Sequence, residues 1–184
     1  MGEIHPPQRV KYLAGLLVAE AEQIDPVRRR LESLLGPIDL STDPAPFDYT
    51  DYYQAEMGSL IRLYVAFERL EHPSRLAEIK RTTNEIEDHW RRPDGGRQVN
   101  VDPGYLGLAQ LVLASTKHFA HRIYLASGIY GEVTLQFQGG SFTRLPWTYP
   151  DYQAHTAVFN QWRLRLKEQL QAQPTEHKPK GRDA

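Results

Sequence analysis

The chain of 184 residues contains no cysteine, and this absence excludes several kinds of site. Without thiols the protein cannot form disulfides, bind zinc through cysteine or use a cysteine nucleophile. Long hydrophobic runs are also absent: no stretch approaches the roughly 18 apolar residues of a transmembrane helix. The N-terminal residues are polar and lack the apolar core of a signal peptide, which favours a cytoplasmic protein.

Charge of one sign is not in excess, since 22 Lys and Arg residues face 23 Asp and Glu residues, for a formal net charge of −1. A nearly neutral chain lacks the long-range field of a general nucleic-acid or membrane-surface coat. The sequence also has no P-loop GxxxxGK[ST] and no GxGxxG, HExxH or GxSxG motif. Any site must therefore be assembled from residues that the fold brings together.

The order of predicted elements indicates one α+β domain. Residues 1–8 are expected to form a loose arm because two prolines block regular structure, and the polar residues 173–184 a disordered tail. Between them, 9–172 form a single domain. Its front half has the strand–helix–strand–strand–helix–strand order of a ferredoxin-like fold, extended by an antiparallel β-meander and a long C-terminal helix. We expect all helices on one face of a largely antiparallel sheet.

Hydrophobic patterning places these elements along the chain. Helices are predicted from Asp25 to Gly36, over 74–91 and over 151–171, where Asp151 is a candidate cap. Pro103-Gly104 is expected to end the strand at 97–102, and 108–114 fits either a strand or a short buried helix. The other predicted strands are 11–19, 60–69, 120–126, 129–137, 141–145 and, poorly determined by the pattern, 47–53.

Polar residues fall on the second face of the predicted strands, opposite apolar neighbours. Long hydrogen-bonding side chains of both signs fit a concave ligand surface, whereas the alternative is a solvated face with cross-strand charge pairs. The residues that alternation places there are Arg62, Tyr64, Glu68, Asn100, Asp102, Arg122, Tyr124, Tyr130, Glu132, Thr134 and Gln136.

Three other segments carry candidate binding groups. Ser115-Thr116-Lys117, followed by Arg122, offers hydroxyls, a point charge and a guanidinium fork for a phosphate or carboxylate, unless it is an ordinary polar loop. The acidic, tyrosine-rich segment 48–56 suits Mg²⁺ or a planar ring, or else packs its tyrosines on the core. The aromatic segment 147–152 is either packing or a wall for a base or sugar.

The flank of the predicted helix 74–91 is interpreted differently. Lys80, Asn84 and Glu87 share one side of this helix. We interpret them as a solvated face with intrahelical ion pairs rather than as part of a site.

Six sequence strings resemble a prokaryotic family known as a domain of unknown function, DUF4416. The resemblance covers about residues 5–170. It implies no established reaction and therefore no catalytic residues, although members have been labelled as GTP-binding proteins. The strings include Asp102, Lys117, Arg122 and Tyr130, which favours a site over an undistinguished surface. The strings are DYTDYY at 48–53, VNVDPGY at 99–105, LASTK at 113–117, HRIYL at 121–125, GIY at 128–130 and WTYPDY at 147–152.

Our first hypothesis is a protein that binds, or acts on, a phosphorylated or nucleotide-like ligand. Lys117 and Arg122 would bind anionic oxygens with help from Arg62, while Asp102 and Glu132 would hold a divalent metal such as Mg²⁺ or act as acid and base. The remaining candidates are ring contacts from Tyr52, Tyr53 or Trp147 and ligand contacts from Tyr124, Tyr130 and Thr134.

Two alternatives of other classes remain open. An RNA-binding module would use exposed sheet aromatics and the basic clusters Arg28-Arg29-Arg30 and Arg91-Arg92. A non-catalytic interaction protein would form a homo-oligomer through its sheet or last helix. The sequence does not decide whether the protein is an enzyme.

Overall fold

A computed structural model describes residues 2–48 and 60–172. Within these ranges the chain forms one nine-stranded sheet and four helices. None of the described helices is long and apolar enough to cross a membrane. The helices are α1 (Ile24–Leu35), α2 (Leu76–Asp88), α3 (Pro150–Ala154) and α4 (Thr156–Ala172). The strands are β1 (Val10–Val18), β2 (Ile38–Ser41), β3 (Ala45–Pro46), β4 (Ile61–Glu71), β5 (Val99–Leu106), β6 (Gln110–Ser115), β7 (Ile123–Ala126), β8 (Ile129–Gln138) and β9 (Ser141–Arg144).

The strands lie in the order β2-β4-β1-β5-β6-β8-β7, with β3 paired to β4 and β9 to β8. All of these pairings are antiparallel. The α+β class, the large antiparallel sheet and the long C-terminal helix are thereby confirmed. The order β2-β4-β1-β5 is compatible with the ferredoxin-like front half, which stays a prediction.

Helices pack on both faces of the sheet, which corrects the expectation of one covered face. Alternate residues of β1 such as Leu16 join α1 and α2 in one hydrophobic cluster, whereas Leu13 joins Phe159 and Trp162 of α4 in another. The reason is visible in β1, where all nine residues are buried. A strand that is apolar on both sides requires a cover on both sides.

Strand β5 continues through Pro103-Gly104, so the prediction that this pair would end it is wrong. Both residues pair with β1. The N–H and C=O of Val101 point away from β1, towards α2 side chains. Pro103 has the same orientation two residues later, so its missing N–H costs no bond to β1. A Cβ on Gly104 would collide with the Val112 carbonyl oxygen, so glycine permits the close approach of β6.

Other predicted boundaries change less. The ambiguous run 108–114 is strand β6, and the strand expected at 120–126 begins only at Ile123. His155 divides the predicted final helix into α3 and α4. The strand expected near 47–53 and the predicted tail at 173–184 fall mostly or wholly outside the described residues, and no strand includes Phe47 or Asp48.

Alternation along β8 changes side at an irregularity in its pairing with β6. Leu111 pairs with Leu135, but the next residue, Val112, pairs with Val133. Val133 packs with the α1–α2 cluster, whereas Leu135 and Phe137 pack with α4. Gln136, which lies between Leu135 and Phe137, therefore does not share the face of Glu132, contrary to the prediction.

Candidate functional site

The sheet divides between β5 and β6, and a cavity of about 800 Å³ lies at the division. The two strands pair only over 104–106 and 111–113. Beyond that point β5 stays with β1, and β6 continues along β8. Both strands and α2 line the cavity. Its volume lies within the range of small-molecule sites, about 300–1,000 Å³.

Five of the predicted site residues line this one cavity: Arg62, Asp102, Lys117, Arg122 and Glu132. They come from β4, β5, the loop between β6 and β7, and β8. The β-pleat and the separation of the strands together turn these side chains, distant in sequence, towards a shared space.

The other predicted site residues take different places. Tyr124 is exposed on β7, and Tyr130 contacts Tyr124 and His118 outside the cavity wall. Thr134 is fully buried at the β8 irregularity. Trp147 donates to the Val133 carbonyl and stacks on His121, with ring centroids 4.8 Å apart. Tyr52 and Tyr53 lie outside the described residues.

One end of the cavity, here called the loop end, consists of Ser115, Thr116, Lys117, Arg122 and Glu132. The Arg122 guanidinium donates from Nε to Glu132 Oε2 at 2.7 Å and from Nη1 to Ser115 Oγ at 2.8 Å. Further bonds run to the Lys117 carbonyl and to Tyr149 Oη. Four bonds hold the guanidinium in one orientation before any ligand arrives.

Electrostatics at the loop end keep Arg122 charged. Burial opposes the charge, but the hydrogen bond and attraction of Glu132 raise the pKa of Arg122 above its usual value. Burial raises the pKa of Tyr149, so its hydroxyl stays protonated. Glu132 also accepts from His121, with Nε2 and Oε2 3.0 Å apart. These contacts give Glu132 the geometry of an anchor for two cationic or polar side chains.

A second group of lining residues, here called the strand end, consists of Arg62, Arg97, Asn100, Asp102, Asp151 and Tyr152. Arg62 Nη2 lies 2.7 Å from Asp151 Oδ2, and its Nη1 lies 3.4 Å from Asp102 Oδ2. The guanidinium carbon is 5.2 Å from the Tyr152 ring centroid. Asp151, interpreted from the sequence as a helix cap, instead turns towards Arg62, and Tyr149 is the first residue before α3.

The strand end fits closely around Gly15 of β1. A Cβ at this position would lie 2.6 Å from the Tyr152 hydroxyl and 2.9 Å from Arg62 Nη2. Glycine therefore lets both side chains rest on the sheet surface. Burial disfavours the charged form of Arg62. The neighbouring tyrosines and carboxylates outweigh this effect and raise the pKa of Arg62 above its usual value. Burial likewise raises the pKa of Tyr152.

Helix α2 forms a wall of the cavity through two buried charges that the sequence suggested were solvated. Lys80 Nζ donates to the Val101 carbonyl at 2.8 Å, and Glu87 Oε1 accepts from the Val101 N–H at 2.9 Å. Both side chains thus bind to the edge of β5 at residues that are not paired with β6. Burial raises the pKa of Glu87 despite the nearby Lys80. No local pattern signals this role, because it depends on where β6 departs.

Arg97 and Asp151 line the cavity without having been predicted as ligand contacts, and Tyr149 and Tyr152 line it from the segment for which an aromatic wall was one of two alternatives. The string at 147–152 singled out the segment that contains Tyr149, Asp151 and Tyr152. The sequence did not show that these residues lie beside β4, and that position explains why they line the cavity. The residues that the structure describes include no group of three or more His, Asp or Glu side chains arranged to hold a metal ion.

Fold and cavity define an α+β protein built on one antiparallel sheet, with a polar pocket where that sheet divides. The chain belongs to the family described as a domain of unknown function, DUF4416, which it matches over residues 8–165. No curated protein matches the chain, and no solved structure does.

Proposed function

We propose that this protein binds a phosphorylated or nucleotide-like ligand in the cavity. One observation carries the proposal: Lys117 and Arg122 line the cavity together with the hydroxyl residues Ser115 and Thr116. Ammonium, guanidinium and hydroxyl groups are the side-chain donors that phosphate oxygens accept most readily. The volume of about 800 Å³ suits a ligand larger than phosphate alone.

The charge of the cavity supports an anionic ligand only locally. Its described wall carries six cationic residues and five acidic ones, a formal balance of 6 − 5 = +1. Each carboxylate of the wall lies near a cation, as Glu132 does with Arg122. The cavity therefore favours an anionic group at the loop end, because Lys117 adds a second positive charge beside Arg122 there.

The geometry gives less support to the RNA-binding alternative. A sheet that binds RNA by stacking presents an open face with aromatic residues. Here α1 and α2 pack on one face, and α4 packs on the other. The cavity is thus the better supported ligand surface among the described residues.

Self-association through β7 is a second candidate function, because this edge strand exposes large apolar side chains. Ile123, Tyr124 and Leu125 are 73%, 59% and 42% exposed at the end of the strand order. An unpaired edge with such residues can pair with a second copy of itself. Light scattering after size exclusion tests this idea with Ile123→Lys. A monomeric wild type at high concentration contradicts it.

Thermal shift and calorimetry with phosphorylated sugars and nucleoside phosphates, with and without Mg²⁺, test the cavity. We expect stabilisation of the wild type and its loss in Lys117→Ala, because the ammonium is removed without disturbing the core. Lys167→Ala is the matched control, since Lys167 is exposed on α4 away from the cavity. The proposal fails if no phosphorylated ligand binds the wild type or if both variants bind equally well.

A further inference from the structure

The two ends of the cavity differ in charge. At the loop end, Lys117 and Arg122 outweigh Glu132, for a balance of 2 − 1 = +1. At the strand end, Arg62 and Arg97 balance Asp102 and Asp151, for 2 − 2 = 0, since Arg97 donates to Asn100 Oδ1 at 3.0 Å. The excess of positive charge therefore lies at the loop end, which favours an anionic group there rather than at the strand end.

The strand end also holds buried polar atoms without partners. Arg62 Nε, Asn100 Nδ2 and the Tyr152 hydroxyl make no hydrogen bond with any described residue. Their residues are only 4%, 4% and 1% exposed. Leaving such groups unpaired is costly, and each unpaired group in a native protein calls for a partner. Arg62 Nε and Asn100 Nδ2 can only donate, so their missing partners are acceptors, whereas the Tyr152 hydroxyl can donate or accept.

The sheet register concentrates these donors. Leu17 of β1 pairs with Arg62 on one side and with Asn100 on the other. The Tyr152 hydroxyl reaches the same surface beside Gly15, close to Arg62 Nη2. Donors from β4, β5 and α3 thus surround one point of the sheet, next to the Asp102 carboxylate, which can accept from a hydroxyl or amine.

From these observations we infer that the ligand is a phosphate ester whose phosphate lies at the loop end and whose neutral, hydroxylated or heterocyclic part lies at the strand end. This inference rests on the proposed function and specifies its substrate class. The neutral part accepts hydrogen bonds from Asn100 and Tyr152 and donates to Asp102. The strand end offers no excess positive charge for a second phosphate.

Tyr152→Phe tests the strand end with little effect on the fold, because the hydroxyl that it removes has no partner among the described residues. Calorimetry would measure the affinity for ribose 5-phosphate directly and that for inorganic phosphate by competition. We expect Tyr152→Phe to weaken ribose 5-phosphate about fivefold to tenfold, as for one lost hydrogen bond, and to leave inorganic phosphate unchanged. Lys117→Ala should weaken both.

Tyr12→Phe is the control, since this buried hydroxyl donates to the His72 carbonyl and does not line the cavity. It should leave both affinities unchanged. The inference fails if Tyr152→Phe keeps full affinity for ribose 5-phosphate, as it would if water alone satisfied these atoms. It also fails if that variant weakens both probes equally or if the wild type binds inorganic phosphate only. If the wild type binds neither probe and none of the phosphorylated sugars and nucleoside phosphates, the proposed function itself is contradicted.

Discussion

Arg122 and Glu132 form a 2.7 Å ion pair in which only 8% and 2% of the two side chains are exposed. The pair joins the loop after β6 to strand β8 and lies at the cavity wall. A buried pair of this kind contributes modestly to stability while both partners are present, but removing one partner leaves an uncompensated charge. Its structural role can therefore be separated from ligand binding.

We expect Glu132→Gln to lower the free energy of unfolding by about 3 kcal/mol, because it leaves the Arg122 charge buried without its counter-ion. Urea denaturation followed by circular dichroism measures the change. Glu85→Gln, at an exposed position on α2, is the control and should change stability by less than about 0.5 kcal/mol. Equal stability of the two variants would show that Arg122 does not depend on Glu132.

The α2–β5 contact gives a second prediction. Glu87→Ala removes the acceptor of the Val101 N–H, and this backbone group then lies at an edge that β6 does not cover. We expect a loss of about 3–5 kcal/mol, because the variant leaves both the Val101 N–H and the buried Lys80 ammonium without this partner. Amide exchange at Val101 should accelerate in parallel. Unchanged protection of that amide would mean that another group takes the place of Glu87.

Gly104→Ala tests the close approach of β5 and β6. The added Cβ would meet backbone, the Val112 carbonyl oxygen, which cannot move without disturbing the strand pair. We expect destabilisation of about 1–3 kcal/mol, as for other overpacked sites. Gly107→Ala is the control, since the nearest atom to its Cβ would be at 3.5 Å. Calorimetric melting of both variants compares them, and equal melting temperatures would contradict the prediction.

Alkaline pH should weaken the fold through its buried tyrosines. Burial raises the pKa of Tyr12, Tyr64 and Tyr152 above the usual value of 10.0. Their stabilising contribution is complete below pH 10 and is lost as pH rises above it, because the unfolded chain then releases protons that the folded chain keeps. Each such group adds a slope of about 1.4 kcal/mol per pH unit.

Lys11 acts in the opposite direction over a lower pH range. Burial lowers its pKa from the usual 10.5, so stability rises with pH until Lys11 is neutral in both states. Urea midpoints measured well above pH 10.5, where Lys11 is neutral in the unfolded chain as well, therefore isolate the tyrosine effect. Tyr64→Phe should reduce the decline of stability with pH, and an unchanged slope would show that Tyr64 ionises freely.

Local patterning predicted the elements well where one physical rule dominated. The alternation of β4 correctly placed Leu63 and Val65 opposite Arg62 and Tyr64. Alternation gave the wrong face for Gln136, because the irregular pairing of β8 with β6 shifts the residues beyond it to the other face. The prediction that Pro103 would end β5 was also wrong. A strand accepts proline where the missing N–H would face an unpaired edge, and the local sequence does not show which side of β5 is unpaired.

The sequence by itself determined the α+β class, the antiparallel strands and five of the charged side chains that line the cavity, because hydrophobic periodicity and β-pleating are local properties. Tertiary structure decided the rest. The departure of β6 from β5, the burial of Lys80 and Glu87 and the pairing of Arg62 with Asp151 all join segments far apart in the chain. Long-range contacts of this kind depend on packing between elements, and no single segment encodes them.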